Sequence, residues 1–167
     1  MPNTAPEPWL RGPIEDVHPL VAPVFFCFAQ VREDLAKHTG GIAREQLWRK
    51  VDDASLGFHL KHIAGSVDRL TTYLTGHQLS DEQMQVLKRE SEGEEDLSDL
   101  LRLVDESLRA SEAKLREIDP DSLYQQRSVG RRNLPTTVIG LIVHLAEHTQ
   151  RHLGQAITTA NALRQMS

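Results

Sequence analysis

The stretch LSDLLRLVDESLRASEAKLREI, Leu97 to Ile118, decides the fold. Leu97, Leu101, Val104, Leu108, Ser111, Leu115 and Ile118 alternate spacings of four and three. That seven-residue rhythm lays one narrow seam along a helix, and Asp119-Pro120 closes it. A seam of this kind is stable only when other helices cover it. Upstream, Leu56, Leu60, Ile63, Val67, Leu70 and Leu74 make a second stripe, with Ser55 as its cap and Gly76 at its end. Val21, Val24, Phe28, Val31 and Leu35 make another, within a helical pattern running from Ile14 to His38. Pro23 delays or kinks its start and Gly40-Gly41 stop it. Downstream, Val138, Ile142, Leu145, Leu153, Ala156, Ala160 and Leu163 carry the last helix, with Pro135 expected in its first turn.

The reading is therefore four long amphipathic helices, no strand and no internal repeat: an all-α four-helix bundle. Between the second and third helices lies a polar, acidic link of roughly twenty residues, longer than an antiparallel hairpin needs. A crossover is expected there. Ser80-Asp-Glu-Gln83 within it carries the capping signature of a short helix. Glu90 to Asp96 reads as a solvated lead-in to the third helix. Residues 1–13 hold four of the eight prolines and are expected to be an extended arm, with residues 14–167 forming a single domain.

Composition narrows the function. Of 167 residues, 39% are hydrophobic and 26% charged, which suits one globular domain with its own core. The net charge of −5 argues against nucleic acid as a partner. The longest apolar run, Leu20 to Ala29, is too short to span a bilayer. The opening MPNTAPEPWLRGP lacks the pattern of a signal peptide, so a cytoplasmic protein is expected. The single cysteine, Cys27, excludes an internal disulfide and a Cys-rich zinc site; its apolar surroundings mark it as an inert buried thiol.

Histidine supplies the chemistry. His144, His148 and His152 are spaced four apart, so their rings face one side of the last helix. Taken about 100° per residue from the centre of the apolar stripe, His152 lies at about 80°, His148 at about 120° and His144 at about 160°. His148 and His152 are thus the pair at the rim of the bundle interior, and His144 faces outward. A third ligand must come from a facing helix, where the second helix offers His59 and His62. The stripe favours His59. His144-Leu-Ala-Glu147-His148 also spells H-x-x-E-H, but the acidic ligand and mixed scaffold of an inverted zinc protease are missing.

His62-Ile63-Ala64 and His148-Thr-Gln-Arg151-His152-Leu-Gly-Gln155 resemble the matching segments of the DinB/YfiT-like family. The resemblance covers roughly residues 15 to 165 in helix order and crossover position. It implies an up-down-down-up bundle and a metal site made of His62, His148 and His152, so it selects His62 over His59. Leu153 stands where the family commonly has arginine. Three neutral imidazoles leave an ion an open face, as catalytic sites do. Zinc, nickel, iron or manganese would all accept such ligands. Some relatives are similar to S-transferases using thiols such as bacillithiol or mycothiol. The resemblance thus implies a metal-dependent transferase or hydrolase acting on a small molecule, in a family whose members are often homodimers, with a low-molecular-weight thiol as cosubstrate. Gln155 and Arg151 are the candidate contacts to that cosubstrate, and Arg127, Arg131 and Arg132 could help attract it. The alternative is a non-catalytic bundle, serving dimerisation or ligand binding, in which the histidines are structural.

Overall fold

The computed structural model describes residues 5–166 and is mostly helical. Its long helices are Ala22–Thr39 (α1), Leu56–Leu74 (α3), Leu97–Arg116 (α5) and Val138–Gln165 (α6). Two short ones, Arg44–Leu47 (α2) and Asp81–Lys88 (α4), sit in the connections. Local signals start and stop them as the sequence predicts. Ser55 Oγ accepts from the Phe58 N–H at 3.0 Å, opening α3. At α4, Ser80 Oγ accepts from the Gln83 N–H and Gln83 Oε1 accepts from the Ser80 N–H, a reciprocal capping box. Pro23 falls in the first turn of α1, which begins at Ala22 rather than near Ile14.

α3 packs on α5 and α6, and α1 on α6 and, more sparsely, on α5. Cross-helix bonds give the directions. Ser107 donates to the Ala64 carbonyl and the Ser111 hydroxyl meets that of Thr71, so α5 runs the same way as α3. Gln150 donates to the Cys27 carbonyl and Arg164 to that of His38, so α6 runs the same way as α1. His62 faces His148 and His59 faces His152, so α3 and α6 are antiparallel. Phe28, Leu35, Leu60, Ile63, Leu108 and Leu145 meet in the shared core, each at most 1% exposed. Each such side chain contributes about 1.5–3 kcal/mol by leaving water. In α5 the seam holds from Val104 to Leu115. Nearer its start Leu100 is the buried residue, and Leu97 and Leu101 flank it half-buried.

Strands are present, contrary to the sequence reading. Lys50–Val51 (β1) pairs antiparallel with Ala54–Ser55 (β2), and Gln126–Val129 (β3) with Leu134–Thr137 (β4). Such short strands carry too few residues to show a period of two; turn chemistry makes them instead. Asp52 and Asn133 adopt left-handed φ of 54° and 49°, which Asx side chains tolerate. Pro135 consequently lies in β4 opposite Ser128 instead of opening the last helix. The cap is Thr137, whose hydroxyl accepts from the Gly140 N–H at 3.1 Å. Of the expected arm, residues 1–4 lie outside the described residues. Pro8–Leu10 form a 3-10 turn with Pro8 buried, and Arg11 pairs with Glu33 of α1. No helix among the described residues is long and apolar enough to cross a membrane.

Candidate metal centre

The antiparallel contact of α3 with α6 brings three imidazoles together. His62, His148 and His152 each offer a ligand atom, all within 4.8 Å of one another. Ring centroids are 4.2 Å apart for His62 and His152, 4.7 Å for His148 and His152, and 5.2 Å for His62 and His148. The Nε2 atoms of His62 and His148 face each other at 3.1 Å. His59, which the apolar stripe favours, is not in this group. It is 4% exposed and its ring is 5.8 Å from that of His152. It lies one turn closer to the start of α3, on the core side, whereas His62 stands at the rim.

The rim position matters because the link before α5 passes over it. Glu90 Oε2 accepts from His62 Nδ1 at 2.6 Å, and Glu90 Oε1 accepts from Arg69 Nη1 at 2.6 Å. Glu90 is 2% exposed and Arg69 7%. The acidic run is therefore not uniformly solvated: Glu92 and Glu94 are exposed, but Glu90 is buried beside the histidines. A carboxylate there is neutralised by the guanidinium one helical turn beyond Gly65. A Cβ on Gly65 would collide with both Glu90 Oε1 and the Arg69 guanidinium, so the absence of a side chain makes the approach possible. By accepting from Nδ1, Glu90 fixes the His62 ring and leaves Nε2 as its free lone pair.

The remaining rings are neutral. Burial pushes His59 and His148 down to about 4 and His152 to about 3, and the nearby His62 ring adds to each shift. Nδ1 of His59, His148 and His152 is buried without a hydrogen-bond partner. Buried polar atoms in folded proteins are nearly always paired, so two such atoms within the trio and a third on the neighbouring His59 call for a cause. In the trio of His62, His148 and His152, two rings keep an unpartnered buried nitrogen and the third is oriented by a carboxylate, a donor set that fits a divalent transition ion.

Other expected residues are placed as follows. Arg151 and Gln155 line a cavity of about 570 Å³ together with His59, Gly154, Asp52 and Asp53. Arg151 also pairs with Glu147 at 2.5 Å. Leu153 is buried at 3% exposure, so it takes a core position with no polar role. Arg127 donates to the Leu74 carbonyl and pins the end of α3, while Arg131 and Arg132 are exposed in the β3–β4 turn. Cys27 is half-buried, and burial pushes its thiol up, away from use as a nucleophile. A second group, His144, Glu147 and His148, also places its ligand atoms within 4.8 Å. Sequence reasoning missed Glu90 and Arg69; His62, Gly65 and Arg69, spaced three and four apart, form a polar stripe on α3 that could have signalled them.

No curated protein gives a significant match to the sequence. The DinB_2 family model, described as the DinB superfamily, matches residues 28–156, which include His62, Glu90, His148 and His152. With a mostly helical fold and a match over well more than half its length, the chain belongs to the DinB superfamily.

Proposed function

We propose that the four long helices are an up-down-down-up bundle holding a divalent transition metal ion between His62, His148 and His152. The protein is read as a cytoplasmic metal-dependent enzyme that acts on a small molecule, transferring a thiol or hydrolysing a bond. Nucleic acid and membrane have no part in this reading, and homodimerisation is compatible with it. The observation that carries it is the convergence of three imidazoles, of which His148 and His152 each keep a buried nitrogen without a protein partner and His62 is oriented by Glu90. The helix directions and the long link between α3 and α5 support the bundle topology. When bound, the ion supplies a Lewis acid that activates a thiol or a water molecule.

The chain's own residues do the rest. His62, tied to Glu90, presents a fixed Nε2 toward the other rings. Arg69 holds Glu90 in place. Arg151 and Gln155 supply hydrogen-bond donors to the cosubstrate from the wall of the adjoining cavity. Its size suits a small polar molecule.

Elemental analysis of protein purified without a nickel column tests the metal. The expected result is near-stoichiometric transition metal in the wild type and its loss in His148→Ala. Substoichiometric metal in every preparation would sink the proposal and leave a non-catalytic bundle. Thiol-dependent transfer to electrophilic small molecules, assayed with the metal-loaded chain, tests the reaction.

A further inference from the structure

The second trio, His144, Glu147 and His148, shares His148 with the first. The two differ in exposure. The side chains of His144 and Glu147 are 46% and 43% exposed, against 17% for His62. His148 stands between the groups, its ring 5.2 Å from that of His144 and 4.7 Å from that of His152. Along α6 the three rings thus run from solvent inward to the buried cluster.

We propose that His144, Glu147 and His148 form a capture site, which takes a divalent transition ion from solvent and passes it inward to His62, His148 and His152. This rests on the reading of the inner trio as the resident site. A hydrated divalent ion has to shed water in steps before three imidazoles can surround it, and a metal site needs an entry path. The inner trio is made of imidazoles alone and the carboxylate beside it, Glu90, is paired with Arg69, so it offers lone pairs but no unpaired charge to attract the ion. Glu147 supplies that charge at the surface, and His144 Nδ1 lies 2.5 Å from its Oε1. His148 is common to both trios, so it keeps hold of the ion as the outer ligands are exchanged for His62 and His152.

Two features make the outer site the weaker one. Its ligands are solvent-exposed, and the Arg151 guanidinium sits 2.5 Å from the other oxygen of Glu147. The ion therefore moves inward at equilibrium. Because both sites need His148, the wild type holds a single ion.

The test is stopped-flow Zn²⁺ exchange between the full-length chain and a fluorescent chelator. In His144→Ala and in Glu147→Gln, loading is expected to slow about tenfold, as expected when a local charge and ligand that concentrate the ion are removed. Release is expected to slow by the same factor, leaving the equilibrium affinity unchanged, because an intermediate on the path alters both directions equally. Unchanged loading rates in both variants would overturn the capture site. So would slowing in Glu147→Gln alone, which would mean simple charge attraction. A loss of affinity in His144→Ala with loading unchanged would place His144 in the resident site and overturn it as well. A second measurement isolates the outer trio: His62→Ala is expected to keep weak Zn²⁺ binding that His62→Ala/His144→Ala loses, and equal binding by the two would count against the proposal. A wild-type chain that takes up no Zn²⁺ would end the resident-site reading, and this one with it.

Discussion

Arg32 crosses from α1 to α5 and finds Asp105 and Glu112, each at 2.7 Å. Across the seam between α3 and α6, by contrast, three ring nitrogens are buried with nothing to bind. Both seams place polar groups between helices, yet one is fully paired while the other leaves buried nitrogens without partners. The paired seam explains itself: half-exposed ion pairs tie two helices together at little cost. The unfinished one leaves buried donors and acceptors unsatisfied, a penalty that folding alone gives no reason to retain. The difference marks the α3–α6 contact as the candidate site without reference to any cavity.

The largest expected effect comes from breaking the clamp on the unfinished side. Glu90→Ala strands the Arg69 guanidinium in the interior, and a loss of about 3–5 kcal/mol in urea unfolding is expected. Replacing both Glu90 and Arg69 by leucine should restore most of that stability. Metal affinity in the double variant, measured by chelator competition, should nevertheless stay about 10–100-fold weaker, because the His62 ring has lost its orienting partner. Recovery of both would mean the pair serves the fold alone. Next in size is Gly65→Ala, whose new methyl group pushes Glu90 and Arg69 apart; about 1–3 kcal/mol is expected, with weakened metal binding alongside.

Protonation sharpens the contrast. His59, His148 and His152 titrate near 4, 4 and 3 in the folded chain, and near 6.5 once unfolded. Between those values the unfolded chain binds more protons, so stability of the metal-free protein should rise with pH up to about 6.5 and flatten above it. His59→Gln should make that rise shallower in urea titrations at pH 4.5, 5.5 and 7, the first two inside that range and the third above it. An unchanged slope would show that His59 carries none of it. The smallest effect belongs to the paired seam: Arg32→Ala should cost about 1 kcal/mol or less and leave metal affinity untouched.

The sequence carries the helices plainly because apolar spacing and caps are local properties. The seam of α5, the Ser55 cap and the Ser80–Gln83 box all need only neighbours within a turn. The two histidines of α6 are legible for the same reason, since a spacing of four fixes their common face. The choice of His62 over His59 comes from a family resemblance, and the apolar stripe by itself points to a ring that lies outside the trio of closely spaced ligand atoms. The reason is positional: the trio sits at the rim, where a connecting segment passes, and not at the centre of the stripe. Glu90 was illegible because nothing in the run Glu90 to Asp96 distinguishes the one carboxylate that turns inward. Its partner lies 28 residues away on α3. The hairpins were missed for lack of length, since turns rather than periodicity create them.

The connector between α3 and α5 is more than a spacer. Gln83 donates to Asp68 and Thr72 before Glu90, and after it Lys61 donates to the Glu92 carbonyl and Trp48 to that of Glu95, so the connector is stitched down on either side of the carboxylate it delivers. A protease nick or inserted peptide there would disable the chain while sparing its helices. The exposed bend at Gly130–Asn133 has no such duty, and it is where a tag, a fused module or new chain termini could be accommodated.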